Sequence, residues 1–194
     1  MLQGIFSRKR KSCRQVLEIE ALENKNGNKK RLRSIKEYKG KLFSEVSQFL
    51  TRLINDIKKG IKNNQNKNKE LESFLQFNLS DYKRYLCEVT LDPLVKEEYI
   101  KETEECYKRY FTEHNVCEVS PAAITGHYHY SIFLFEVKNT KNEAIKYLKD
   151  QRLSYITQLD TMFKNFIESY EILDTITTTL TNWVILTNYK EVDL

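Results

Sequence analysis

Five glycines and two prolines are the only strong breakers in 194 residues, and that scarcity constrains the fold more than any other feature of the chain. Tight hairpins need residues that tolerate positive φ, and proline presets the first bend of many turns, so a chain poor in both has few places to reverse sharply. Long uninterrupted segments follow, and the α-helix is the element that fills them without a neighbouring strand. Apolar residues recur at three-and-four spacing, and no alternating strand pattern competes. The length is enough for a sizeable core. The expectation is one all-α domain over residues 1–189 with a short tail at 190–194.

The helices are legible from their stripes and their ends. Residues 5–26 carry Val16, Ile19 and Leu22 at helical spacing and stop at the turn of Asn26, Gly27 and Asn28. Residues 29–62 hold Leu32, Ile35, Leu42, Val46, Phe49, Leu50, Leu53, Ile54 and Ile57, the stripe of a long amphipathic helix. The Lys-, Asn- and Gln-rich stretch 59–69 reads as a solvated loop, and the next helix covers 70–90. Asp92 before Pro93 and Ser120 before Pro121 each set a capping residue ahead of a proline at the first helical position, opening helices that reach about 115 and 138.

Thr140 and Glu143 have capping-box spacing for a further helix. The last, over 166–189, is threonine-rich from Thr175 to Thr181, and threonine is a mediocre helix former. Packing of Ile172, Ile176, Leu180, Trp183 and Val184 must hold it. About seven antiparallel helices joined by short turns predict a right-handed, TPR-like superhelical array, although no clear internal repeat is present.

A formal charge of +5 suits anionic partners without choosing among phosphorylated proteins, nucleic acid and acidic membrane surfaces. The clusters Arg8 to Lys11 and Lys29 to Arg33 could serve nuclear import or nucleic acid, but no recognition-helix, RRM or zinc-finger pattern accompanies them. Cys13, Cys87, Cys106 and Cys117 form no CxxC pair and read as reduced thiols. With no secretory segment and no apolar run of about eighteen residues, the expected location is the cytoplasm, with the nucleus second, and no membrane association is expected. His127 and His129 with His114 and Cys117 have the donor types of a metal site, but residues two apart on a helix point away from one another, so no metal is expected. No P-loop, nucleophile elbow or catalytic carboxylate pair is visible. An enzyme, a cofactor and a small-molecule substrate are therefore not expected.

Chemistry concentrates in DYKRYLCEV, residues 81–89. Arg84 and Glu88 are four apart and share a helix face, with Tyr85 beside Arg84. A forked guanidinium, a phenol and an orienting carboxylate suit a phosphate, although an ordinary surface ion pair has the same spacing. The segment resembles the DYYRYLAEV signature of the 14-3-3 family of phosphoserine/phosphothreonine-binding proteins. The likeness runs on in register through HYSIFLFE at 129–136 and QLDT at 158–161 to LTNW at 180–183.

The resemblance implies an amphipathic groove for an extended phosphorylated segment of a partner protein, and an adaptor role. Arg84 and Tyr85 match phosphate ligands and Glu88 matches the acidic residue beside them. SRKRKSCR at 7–14 resembles the family's GARRSSWR, which makes Arg10 the second phosphate arginine and Arg14 a supporting base. Each charge-assisted hydrogen bond to such a phosphate is worth roughly 1.5–3 kcal/mol. Ile132 and Trp183 match the apolar wall, although Thr175 stands where a leucine is expected.

Other positions depart. Gln3 replaces the groove lysine, Phe77 replaces the lysine before the signature, and His129 and Thr179 replace two asparagines that hold the peptide backbone. Affinity or sequence preference should differ accordingly. The family's first two helices have no counterpart here. Tyr38, Lys41 and Glu45 match dimer positions whose docking helix is absent, so a monomer or a weak, rearranged dimer is expected. Two alternatives remain beside the phosphopeptide reading. One is a helical scaffold that binds partners without phosphate dependence; the other, weaker, is a nucleic-acid-binding helical protein.

Overall fold

The computed structural model describes residues 2–64, 68–113, 120–159 and 166–189, excepting the side chains of residues 2–7, 159 and 166. It contains α1 (Leu2–Lys25), α2 (Lys29–Lys62), α3 (Lys69–Val89), α4 (Pro93–Glu113), α5 (Pro121–Ile132), α6 (Lys141–Leu159) and α7 (Phe166–Thr187). No strand occurs among the described residues, and the all-α array is the fold.

The helix ends are made largely by the residues that announce them. Gly27 takes a left-handed φ of 70° after α1, as a C-terminal turn requires. Asn28 and Asn68 cap α2 and α3 by accepting from the Arg31 and Leu71 N–H groups at 3.3 and 3.1 Å. Asp92 accepts from Leu94 and Val95, and Ser120 from Ala123. Helix α2 runs on to Lys62 and α3 begins at Lys69. The non-helical part of the Lys/Asn/Gln stretch is therefore shorter than its composition suggests.

Three expectations need correction. Val16 is buried, but Ile19 and Leu22 are exposed, because α1 is covered on the side that meets α2 and its outer stripe has no partner among the described residues. The Thr140 and Glu143 capping box is not used; the Thr140 hydroxyl turns to the Leu134 carbonyl at 3.4 Å. The helix expected to reach Lys138 ends as an α-helix at Ile132 and continues as a π-helical turn over Phe133–Val137. There the Lys138 N–H donates to the Phe133 carbonyl at 3.0 Å, five residues back, and Asn139 follows at a φ of 59°. An i→i−5 turn rotates the side chains after it relative to an α-helix, and it carries Phe135 and Glu136 to the site described below.

Two apolar cores form. Cys13, Val16, Phe43, Val46, Leu50, Ile54, Leu79, Leu86 and Val89 join α1, α2 and α3. Tyr107, Ile124, Phe133, Leu134, Ile145, Leu148, Ile176 and Trp183 join α4 to α7. Helix α5 approaches α4 so closely that a Cβ on Gly126 would lie 2.7 Å from the Tyr110 ring. In α7 the threonine hydroxyls are satisfied within the helix: Thr175, Thr177, Thr179 and Thr181 each donate to the carbonyl four residues back. That leaves the Ile176, Leu180 and Trp183 stripe to pack.

Cys13, Cys87 and Cys106 are free thiols, whereas Cys117 and His114 lie outside the described residues. Among the described residues no helix is long and apolar enough to cross a membrane.

Candidate functional site

A buried guanidinium stands where the two cores meet. Arg84 is 1% exposed, and an isolated charge at such depth would be prohibitive, so its partners are obligatory. The local sequence supplies them: Asp81 lies three residues before it and Glu88 four after, on the same face of α3. Arg84 donates from Nε and Nη2 to Asp81 Oδ1 at 3.0 and 2.6 Å, and from Nη1 to Glu88 Oε1 at 3.2 Å. The same Asp81 oxygen accepts from the Tyr107 hydroxyl of α4 at 3.3 Å and lies 3.1 Å from His129 Nδ1 of α5. Burial alone would raise the Asp81 pKa, but Arg84 and His129 hold it well below the usual carboxylate range. One carboxylate thus ties three helices together.

Arg10 reaches the same cluster from α1. Its Nε and Nη2 donate to the two Glu88 oxygens at 3.2 and 3.0 Å, a bidentate pair that Glu88 shares with Arg84. The Tyr85 ring contacts both guanidiniums, with their Cζ atoms 4.2 and 4.3 Å from its centroid. Burial pushes the Tyr85 phenol up to about 12, partly opposed by Arg84, and its hydroxyl is hydrogen-bonded to Asp81. Arg14, one turn further along α1, donates to Glu136 of the π-helical turn at 2.8 Å; both side chains are substantially exposed, at 49% and 40%.

The facing wall comes from α5, the π-helical turn and α7. The His129 ring packs on Phe77 at 5.4 Å. The Tyr128 hydroxyl pairs with Thr179 Oγ1 at 3.0 Å, and Phe135 stacks flat on Trp183 at 4.1 Å. Between the walls lies a cleft of about 360 Å³ with arginines on one side and Ile132, Trp183 and Leu186 on the other.

Of the residues singled out in the sequence, Arg10, Arg14, Arg84, Tyr85, His129, Ile132, Thr179 and Trp183 line this cleft. Glu88 sits behind it, joining Arg10 to Arg84. The sequence reading missed Asp81, although its spacing from Arg84 carried the signal, and it gave Glu88 alone the orienting role. It also missed Glu136, Tyr128, Asn182 and Leu186. Glu136 could not be read from periodicity, because the π-helical turn sets its direction. Thr175 turns to the Glu171 carbonyl, and the Gln3 side chain lies outside the described residues.

His127 and His129 diverge. His127 stacks on Phe111 at 4.2 Å and pairs with the Tyr147 hydroxyl, and burial depresses its pKa to about 4. Among the described residues no His, Cys, Asp and Glu group could hold a metal. At the matching dimer positions, Tyr38 is exposed and Glu45 is held by Lys9 at 3.0 Å.

Residues 1–184 match the family model described as "14-3-3 protein". Human 14-3-3 protein eta is 25% identical over 185 residues, covering 93% of this chain and 75% of that protein. The 14-3-3 protein 2 of Entamoeba histolytica is 25% identical over 182 residues, covering 93% and 76%. The 14-3-3-like protein GF14 psi of Arabidopsis thaliana is 24% identical over 184 residues, covering 93% and 71%.

Proposed function

The chain belongs to the 14-3-3 family, and from that premise we propose that it is a non-catalytic adaptor whose cleft binds phosphoserine- or phosphothreonine-containing segments of partner proteins. One observation carries the reading: Arg10, Arg84 and Tyr85, from two helices far apart in sequence, converge on one cleft whose opposite side carries the apolar Ile132, Trp183 and Leu186. A phosphate needs several convergent donors, and two forked guanidiniums are suited to it. An extended peptide also needs surface for its flanking side chains, which Ile132, Trp183 and Leu186 offer. Arg14, on the rim, acts as a supporting cation once Glu136 releases it. We place it in the cytoplasm, with the nucleus second.

The test is a titration of a fluorescent phosphoserine peptide and its unphosphorylated twin. Tighter binding of the phosphorylated form by at least about tenfold, or about 1.4 kcal/mol, is expected. Equal binding of the two would instead favour a scaffold that uses the apolar wall without phosphate dependence.

A further inference from the structure

We propose that His129 is a proton-linked ligand contact: its Nδ1–H is committed to Asp81, it gains its second proton at Nε2 on the cleft side, and entry of a phosphate draws that proton in. The inference rests on the phosphopeptide reading above and adds to it a regulation by pH.

The tautomer follows from geometry. His129 Nδ1 lies 3.1 Å from Asp81 Oδ1, an oxygen that already takes two Arg84 bonds and the Tyr107 hydroxyl. A carboxylate so paired with a guanidinium is ionised and can only accept, so Nδ1 must be the donor. Neutral imidazole carries one N–H, and Nε2 is left as a bare acceptor. The two nitrogens sit on different edges of the ring. With Nδ1 aimed at Asp81 and Phe77 packed against the ring, Nε2 is the polar edge that remains for the cleft His129 lines.

The charge balance supplies the driving force. Among the described residues the cleft's guanidiniums are each matched by a carboxylate: Arg84 with Asp81, Arg10 with Glu88, and Arg14 with Glu136. With His129 neutral the cluster carries no net charge. A phosphate ester of about −1.5 to −2 therefore enters a balanced site, and a nearby anion favours the charged form of any group able to gain a proton. The groups around His129 are Arg10 and Arg14 from α1, Asp81, Arg84, Tyr85 and Glu88 from α3, Tyr107 from α4, Tyr128 beside it on α5 and Glu136 from the π-helical turn. Helix α7 offers the neutral Thr179 and Asn182. Imidazole is the side chain in this set that ordinarily changes charge between about pH 5 and 8. Asp81 is held ionised, and burial raises the pKa of Tyr85 and Tyr107, which keeps both phenols uncharged.

The experiment is calorimetry of a phosphoserine peptide at pH 7 in buffers of different ionisation enthalpy, comparing the parent with His129→Asn and His129→Gln. Using one peptide throughout cancels the phosphate's own titration. The parent is expected to take up a measurable fraction of a proton more per site than either variant. Nitrogen-15 NMR of the free parent protein, which depends on no variant folding, is expected to show Nδ1 protonated and Nε2 bare. Tight, phosphate-selective binding with equal proton uptake in all three chains, or an Nε2–H tautomer in the free protein, would overturn this inference and leave the functional reading standing. Failure of the parent to distinguish the phosphorylated peptide from its twin would overturn both.

Discussion

The cationic wall of the cleft and the wall facing it differ in how firmly burial fixes them. On the cationic side Arg84 is buried at the cleft floor, Asp81 and Glu88 accept from its donors and Tyr107 holds Asp81, so packed groups determine the donor directions. On the facing side, Tyr128 and Thr179 form a hydroxyl pair, His129 and Glu136 reach across to Asp81 and Arg14, and Ile132, Trp183 and Leu186 present apolar surface to the cleft. Changing a buried charge costs far more than changing a solvated hydroxyl. The first wall should therefore tolerate little substitution without loss of the fold, whereas the second can alter preference at little cost.

The comparison is best broken at Asp81. Asp81→Asn leaves Arg84 buried beside a neutral amide, and removing one member of a buried pair costs about 3–5 kcal/mol. Urea unfolding should show that loss, and a stability within about 0.5 kcal/mol of the parent would mean that water reaches the guanidinium after all. Acid should act on the same bond. Because the folded pKa of Asp81 lies below its ordinary value, the stability it contributes is present above about pH 4 and is lost as pH falls further.

His127 sharpens the comparison by providing a buried titratable group on α5 that does not line the cleft. Its folded pKa of about 4 lies below the ordinary 6.5, so the unfolded chain takes up a proton first. The stability this contributes above about pH 6.5 is lost on descending towards pH 4, by about 3 kcal/mol. Thermal unfolding across that interval should be steeply pH-dependent in the parent and flatter in His127→Phe. Parallel profiles would count against a buried neutral imidazole.

Two adjacent cations on α3 test whether the cationic wall acts through geometry or through charge alone. Lys83 faces away from the cleft and pairs with Glu102 of α4 at 2.5 Å, beside a separate pocket. Arg84→Lys should weaken phosphopeptide binding by about tenfold or more, since a point charge loses the fork. Lys83→Ala should leave affinity unchanged and cost stability instead. Similar affinity losses in both would reduce the site to a diffuse positive field. The smallest effect is expected on the facing wall: Thr179→Asn should change affinity or sequence preference among phosphopeptides while stability stays within about 0.5 kcal/mol. A large loss of stability there would erase the contrast between the walls.

Much of this molecule was legible before any coordinates. The scarcity of glycine and proline, the three-and-four stripes and the Asp92 and Ser120 caps lead to about seven helices, because helix periodicity and capping are local properties of the chain. The Arg84, Tyr85 and Glu88 cluster was also local, being confined to one helical turn, and its likeness to a family signature pointed to Arg10, Arg14, Ile132 and Trp183. Three features depended on contacts between distant segments. Asp81 becomes the hub because Tyr107 and His129, 26 and 48 residues away, arrive at the same oxygen. Glu136 reaches Arg14, 122 residues away, because the helix following Ser120 adopts a π-helical turn. The loss of Ile19 and Leu22 from the core depends on which side of α1 is covered. Periodicity fixes which residues share a face, but the partner, the depth of burial and the resulting proton positions are set by packing, and those exist only once the helices are assembled.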